Sequence, residues 1–272
     1  MARVETDATG VVVAGPGISF AQVGLAYDGD GGSMRALRDL TFSIEPGEPV
    51  SIIGPSGCGK SSLLHMLAGL VEPTEGLVSV DGKPIAGSRQ GTAFIPQNLG
   101  LFPWKTVLQN ASLGMDIRGM GRVQARERAL DALCEVGLDG FASAYPKELS
   151  GGMKQRLALA RAIAMDMDLL LMDEPLSAVD ALLRESLQDI LLELWKRRGQ
   201  TQILVTHSIE EAVYLGRRIL VFSDRPGTLA GAVRNPGMGR DGYRDSAEFA
   251  ACCRRVREVL AAGWSVSGEA VA

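Results

Sequence analysis

Apolar residues fall in short runs separated by glycine, proline and polar clusters. Ile18 to Tyr27 predicts a strand, and Leu40-Thr41-Phe42-Ser43-Ile44 alternates apolar and polar positions as a half-buried strand does. Val50-Ser51-Ile52-Ile53, Ile203-Leu204-Val205 and Ile219-Leu220-Val221-Phe222 predict buried strands. Leu169-Leu170-Leu171-Met172 is continuous, the pattern of a strand covered on both faces of a parallel sheet. Thr92-Ala93-Phe94-Ile95 adds a strand, and Leu77-Val78-Ser79-Val80 followed by Asp81-Gly82 predicts a strand and hairpin turn. Pro46-Gly47 marks a turn, and Asp28 to Gly32 reads as a flexible loop.

Helical spacing takes over elsewhere. It predicts a helix from Lys60 to about Leu70 and helical structure from about Thr106 to Val136, broken at Arg118 to Arg122. Leu130, Leu133 and Val136 share one face of the second of these helices. A helix from about Met153 to Met165 follows, and Leu183, Leu187, Ile190, Leu191 and Leu194 form the stripe of another. Phe249, Cys252, Val256, Val259 and Leu260 predict one amphipathic helix near the end. Residues up to Pro16 read as a loose tail. Strand and helix thus alternate, which predicts an α/β sheet with right-handed crossovers.

The chemistry concentrates first between Val50 and Leu63. Gly54-Pro55-Ser56-Gly57-Cys58-Gly59-Lys60-Ser61 fits the pattern G-x-x-x-x-G-K-[ST], with a strand before it and the apolar helix start Ser62-Leu63-Leu64 after it. Glycines let the backbone curl round a polyphosphate with its N–H groups pointing inward, and the opening helix adds its positive end. In such a loop Lys60 reaches the β- and γ-phosphates of ATP, and the Ser61 hydroxyl binds Mg²⁺.

Composition narrows the class. The 272 residues suit one domain or a core with small subdomains, and the net charge of -4 argues against nucleic acid as the main partner. A mean hydropathy of +0.10 fits either a large core or an apolar contact surface. None of the four cysteines has zinc-type spacing, and no disulfide framework is suggested, which fits a reducing cytosol. Glu5 and Asp7 stand where a signal peptide is basic, and no apolar stretch reaches the ~18 residues of a membrane span.

Four further stretches are ambiguous one at a time. Asp173 ends an apolar strand, where a carboxylate holds Mg²⁺, and Glu174 follows where a second one polarises water; both also suit acids that cap a strand end in solvent. Leu149-Ser150-Gly151-Gly152 opens a helix with exposed N–H groups, though alone it better fits an ordinary loop and N-cap. His207 follows a buried strand, where a lone histidine is more often structural than catalytic. Gln97 alone carries no signal.

Taken in this order, the phosphate loop, Gln97, Leu149 to Gly152, Leu169 to Pro175, Ser177-Ala178-Val179-Asp180 and His207 resemble the ATP-binding-cassette (ABC) ATPases over residues 18–230. The resemblance implies a P-loop NTPase core of α/β class, an antiparallel β subdomain and an inserted α-helical subdomain. It divides the chain into a tail at 1–17, an ATPase domain at 18–235 with the helical subdomain at about 98–160, and a C-terminal extension at 236–272. It implies a head-to-tail homodimer in the ATP-bound state, with Ser150, Gly151 and Gly152 of one subunit on the γ-phosphate held by the other. It places Asp180 at the nucleotide, Glu174, His207, Gln97 and Lys60 in catalysis, and Ser61, Gln97 and Asp173 around Mg²⁺. Tyr27 matches the aromatic residue that stacks on adenine, and equally suits a strand-end tyrosine packed on the core.

Gly100-Leu101-Phe102-Pro103-Trp104-Lys105-Thr106-Val107 and Ser223-Asp224-Arg225-Pro226-Gly227 further resemble the ATPase subunits of nitrate, sulfonate and taurine importers. That implies two separate transmembrane permease subunits, a periplasmic solute-binding protein, and a place on the cytoplasmic face of the inner membrane. The alternative is a soluble ABC ATPase uncoupled from transport. The apolar cluster from Leu99 to Trp104 reads as a docking surface for a permease helix, or as a cap on the helical insert. Ser62, Met167, Val179 and Ser208 depart from the common family residues; Ser62 stays in the nucleotide-binding loop, and none of the four changes removes a phosphate, metal or water contact.

Overall fold

The computed structural model describes residues 3–6, 12–13, 15–29, 32–165, 167–177 and 179–265. In the stretch expected as a loose tail, β1 (Arg3–Thr6) and β2 (Val12–Val13) pair antiparallel. Next come β3 (Ile18–Gly29) and β4 (Gly32–Ile44), a long antiparallel pair. Their ladder runs on through Leu25↔Leu37, Tyr27↔Met34 and Gly29↔Gly32, so most of the expected loop and the polar stretch after it are strand. Asp30 and Gly31 of that loop lie outside the described residues. Charged residues on β4 face solvent, which hid its first half from a hydrophobic pattern.

β5 (Pro49–Ile53) leads into α1 (Lys60–Leu67). This helix stops short of Leu70 because Gly69 takes φ 71° and ends it. The Gly69 N–H donates to the Met66 carbonyl and the Leu70 N–H to that of His65, satisfying the last turn. β6 (Glu75–Val80) and β7 (Lys83–Pro84) form the expected hairpin, with Asp81 and Gly82 both at positive φ. After β8 (Thr92–Ile95) come α2 (Val107–Ile117), α3 (Arg122–Glu135) and α4 (Gly151–Ala164), which pack on one another. Thr106 and Gln109 cap α2 reciprocally. The buried face of α3 is small, made by Ala125, Ala129, Ala132 and Leu133, with Leu130 only half-buried, so the helices approach closely.

β9 (Leu169–Asp173), α5 (Ala181–Arg198), β10 (Thr201–Val205), α6 (Ile209–Leu215), β11 (Arg218–Phe222), β12 (Leu229–Arg234) and α7 (Ala247–Ser265) complete the chain. Six strands form the central sheet in the order β12-β11-β5-β10-β9-β8, parallel except for β12. A second, antiparallel sheet has the order β4-β3-β6-β7. Alternate residues of the central strands face opposite sides of the sheet, one side lined by a single core and the other by two. Leu169 and Leu171 join the core under α1 and the antiparallel sheet, while Leu170 and Met172 join the core shared with α2 to α5. This is the double burial expected of an unbroken apolar strand. A third core binds α7 to α6, β11 and β12 through Cys252, Val256 and Leu260. No helix among the described residues is long and apolar enough to cross a membrane.

Candidate functional site

β5 delivers the chain to Gly54 from the middle of the central sheet, so the phosphate loop hangs from a strand that cannot move. Gly57 and Gly59 take φ 79° and 97°, values that side chains resist. A Cβ on Gly59 would also stand 2.9 Å from the Ala36 carbonyl oxygen, so β4 packs against the loop. Lys60 opens α1 only 7% exposed. Its ammonium donates to the carbonyls of Gly54 at 2.9 Å and Pro55 at 2.6 Å. These bonds hold the cation at the centre of the loop. Cys58 is buried beside it, and burial raises its thiol pKa. It is therefore a packing residue whose backbone, not its sulfur, belongs to the loop.

A cleft of about 300 Å³ opens between this loop and the β3–β4 pair. Ser56, Gly57, Gly59, Lys60, Ser61 and Ser62 line one side. Tyr27 lines another, 37% exposed, with its hydroxyl donating to the Ser62 Oγ at 3.0 Å. The tyrosine is thus on the cleft wall and not folded into the core. Gln97 and Glu174 also reach the cleft. So do Met34 and Arg225, which the sequence reading did not place at the site. Arg225 lay in a noted motif, but nothing local pointed that motif toward the phosphate loop.

β9 ends at the cleft with both acids. Asp173 is buried, with the Ser61 hydroxyl beside it. Burial raises its carboxyl pKa, and the Ser61 hydroxyl opposes that shift. Glu174 takes φ 47°, a left-handed backbone that costs a non-glycine residue on the order of 1–3 kcal/mol. Its N–H donates to the Val205 carbonyl at 2.9 Å, which pins the turn to the end of β10. The Glu174 Oε2 then lies 3.4 Å from the Gln97 Nε2 and 3.3 Å from the His207 Nδ1. Three residues from the ends of three strands therefore meet at one carboxylate oxygen.

His207 is well exposed, and the chain around it is not. The Thr206 hydroxyl donates to the buried Glu211 carboxylate and accepts from the Ser208 N–H at 3.1 Å. The Ser208 Oγ caps α6 by accepting from the Glu211 N–H at 3.2 Å. The ring thus stands on a fixed base.

The other expected residues do not line this cleft. The Ser150 Oγ caps α4, accepting from the Met153 N–H at 3.3 Å, and Gly152 is buried against Leu183 of α5. The Asp180 Oδ1 caps α5 by accepting from the Leu183 N–H at 3.0 Å. Arg184 holds the preceding loop through the carbonyls of Leu176 and Val179. Ala178 of that loop lies outside the described residues.

The segment after Gln97 is anchored from inside. Buried Asn110 bonds the backbone of Phe102, Lys105 and Thr106, and Arg161 holds the carbonyls of Leu99 and Gly100. Trp104 stands out of this frame 71% exposed, edge-on to Phe102 at 5.5 Å. It caps no helix.

A profile of the ABC transporter family matches residues 37–177. A protein of Brucella abortus named as an ATP-binding protein is 46% identical over 243 residues, 89% of this chain and 92% of its own. A taurine import ATP-binding protein of Burkholderia pseudomallei is 46% identical over 208 residues, 76% of this chain and 80% of its own. Among solved structures, a dimeric ATP-binding cassette in a post-hydrolysis state, bound to ADP and Pi, superposes with a TM-score of 0.74. It is 32% identical and covers 81% of this chain and 100% of its own. Likeness of this degree over so much of both chains reflects common descent, and the chain belongs to the ABC transporter family as an ATP-binding-cassette ATPase.

Proposed function

We propose that this ATPase energises an importer, driving uptake of a small solute such as taurine, nitrate or an aliphatic sulfonate through a separate membrane permease. The observation that carries the hydrolytic part is the meeting of Gln97, Glu174 and His207 beside the phosphate loop. The backbone from Gly54 to Ser62 cradles the ATP phosphates, and Lys60 turns its ammonium to them. Tyr27 stacks on the adenine. Glu174 accepts a proton from the attacking water, and His207 and Gln97 hold that water and carboxylate in line.

The donor set suits Mg²⁺. The Ser61 hydroxyl and the Asp173 carboxylate lie side by side, and Ser61 and Gln97 line the same cleft. Magnesium typically takes one or two carboxylates and leaves its remaining positions to phosphate and water. Ser61, Asp173 and Gln97 would hold it. When bound, it neutralises charge on the phosphate oxygens.

In the ATP-bound homodimer, Ser150, Gly151, Gly152 and Asp180 complete the partner's site, which accounts for their position outside the cleft of their own chain. The segments at 18–235, about 98–160 and 236–272 act as ATPase domain, helical subdomain and extension. Two permease subunits dock on the helical subdomain at the cytoplasmic face of the inner membrane, and a periplasmic protein brings the solute. Relatives named as taurine import proteins support this reading.

The test asks whether the adjacent coding sequence specifies a multi-span membrane protein, and whether that protein co-purifies with this one. ATPase is then measured in lipid vesicles with the loaded solute-binding protein. Stimulation by taurine, nitrate or a sulfonate supports the importer. Steady ATPase with no permease bound would favour a soluble ATPase uncoupled from transport.

A further inference from the structure

The loop between β11 and β12 does more than join two strands. The Gly227 N–H donates to the Ala36 carbonyl at 2.9 Å, and its carbonyl accepts from the Arg38 N–H at 3.0 Å. The loop is thereby stitched to β4. A Cβ on Gly227 would lie 2.0 Å from the Cys58 carbonyl oxygen, so the same residue rests directly on the phosphate loop. This clasp puts Arg225 over Gly57. The Arg225 Nε donates to the Gly57 carbonyl at 2.8 Å, and its Nη1 lies 3.2 Å from the Met34 sulfur. Met34 is the cross-strand partner of Tyr27. Tyr27, Met34 and Arg225 thus form one continuous wall of the cleft, drawn from three strands or loops.

We infer that Arg225 is a nucleotide-binding residue that recognises the nucleoside end of ATP. The wall combines an aromatic ring, a thioether and a planar cation, all of which suit the π-face of a purine. The loop's own lysine already serves the phosphates. Two of the five N–H donors of the guanidinium are accounted for, and among the described residues no protein acceptor takes the others. Those donors suit the ring nitrogens or the ribose hydroxyls. Gly57 has no side chain, and an added Cβ would meet the Arg225 Nη2 at 2.8 Å, so only glycine lets the guanidinium lie there.

The inference rests on the ATP site proposed above, and its test separates the two. Binding of Mg-ATP and of Mg-tripolyphosphate is measured by calorimetry on the wild type, Arg225→Ala and Arg225→Lys. Wild-type protein that binds neither ligand would refute the ATP site itself. With that site intact, Arg225→Ala should weaken ATP about tenfold, one good contact's worth, and leave tripolyphosphate within about twofold. Arg225→Lys keeps the charge and loses the plane, and should also lose most of the ATP affinity. Equal weakening of ATP and tripolyphosphate would overturn the inference, because Arg225 would then act through the shape of the phosphate loop. Unchanged ATP affinity would overturn it as well. A thermal melt of each variant guards against unfolding, and if Arg225→Ala does not fold, the lysine variant decides alone.

Discussion

Glu174 is held in a left-handed turn with its carboxylate between Gln97 and His207. Strain of this kind persists only where surrounding bonds over-determine the backbone, and here the Val205 carbonyl and the Ser177 hydroxyl supply them. Replacing the carboxylate with an amide of equal size leaves those bonds alone. Glu174→Gln should therefore keep ATP affinity and lower turnover by about 10²-fold or more, the scale of a lost general base. Steady-state hydrolysis with parallel nucleotide titration checks this. Near-wild-type turnover would remove Glu174 from the role of base. Lys60, Asp173 and Glu174 were legible in the sequence because each lies within a few residues of a strand end that identifies it. Arg225 was not, since its distance from Gly57 depends on two loops meeting in space.

At the scale of the element, the start of α6 shows how a short helix fixes the His207 ring. Glu211 is buried under His207, bonded to Thr206, and its carboxyl is raised mainly by burial, with the Thr206 bond and Arg184 opposing. The folded protein holds this proton to higher pH than the unfolded chain. Stability from this group is therefore lost as pH rises from the ordinary carboxylate value through the raised one. Glu211→Gln keeps an acceptor for Thr206 and carries no proton to lose. Relative to wild type, its stability should improve as pH rises above the ordinary carboxylate value of about 4 to 4.5. Denaturant melts below and above that value measure the gap, and a gap that does not move would mean the carboxyl titrates as in solvent. Neither α6 nor β12 was read from the sequence. α6 has seven residues, too few for a clear period, and β12 is an edge strand with mixed exposure.

For the whole molecule, two surfaces separate what folds the subunit from what connects it. The C-terminal extension belongs to the fold. Tyr243 bonds the buried Asn235, which in turn holds the carbonyls of Val213 and Gly216, and α7 covers β11 and β12. Ending the chain after Ser246 should destabilise it by at least about 3 kcal/mol, since Val256 and Leu260 alone contribute about 1.5 kcal/mol or more each. Equilibrium unfolding tests this, and a truncated chain as stable as the full one would make the extension an appendage. Trp104 is the opposite case, rigidly presented and bare. Trp104→Ala should leave the melting temperature and nucleotide affinity unchanged and weaken permease assembly by about 2 kcal/mol, the size of an aromatic anchor in a pocket. Normal assembly and transport, or simple unfolding, would deny it a docking role.

Pieces whose shape comes from neighbouring residues were legible in the chain alone. The phosphate loop needs glycines at positive φ between a strand and a helix, the 81–82 hairpin needs an aspartate and a glycine that both tolerate positive φ, and the strands buried on both faces need unbroken apolar runs. These are local requirements, and local patterns report them. The tertiary structure alone decided which pieces meet. Gln97 and Glu174 are 77 residues apart, and the Gln97 Nε2 donates to the Glu174 Oε2 because β8 and β9 are neighbours in the central sheet. Arg225 reaches Gly57 because β11 lies beside β5. Strand order is set by how the cores on either side of the sheet are filled, a property of all the strands together that no single stretch carries.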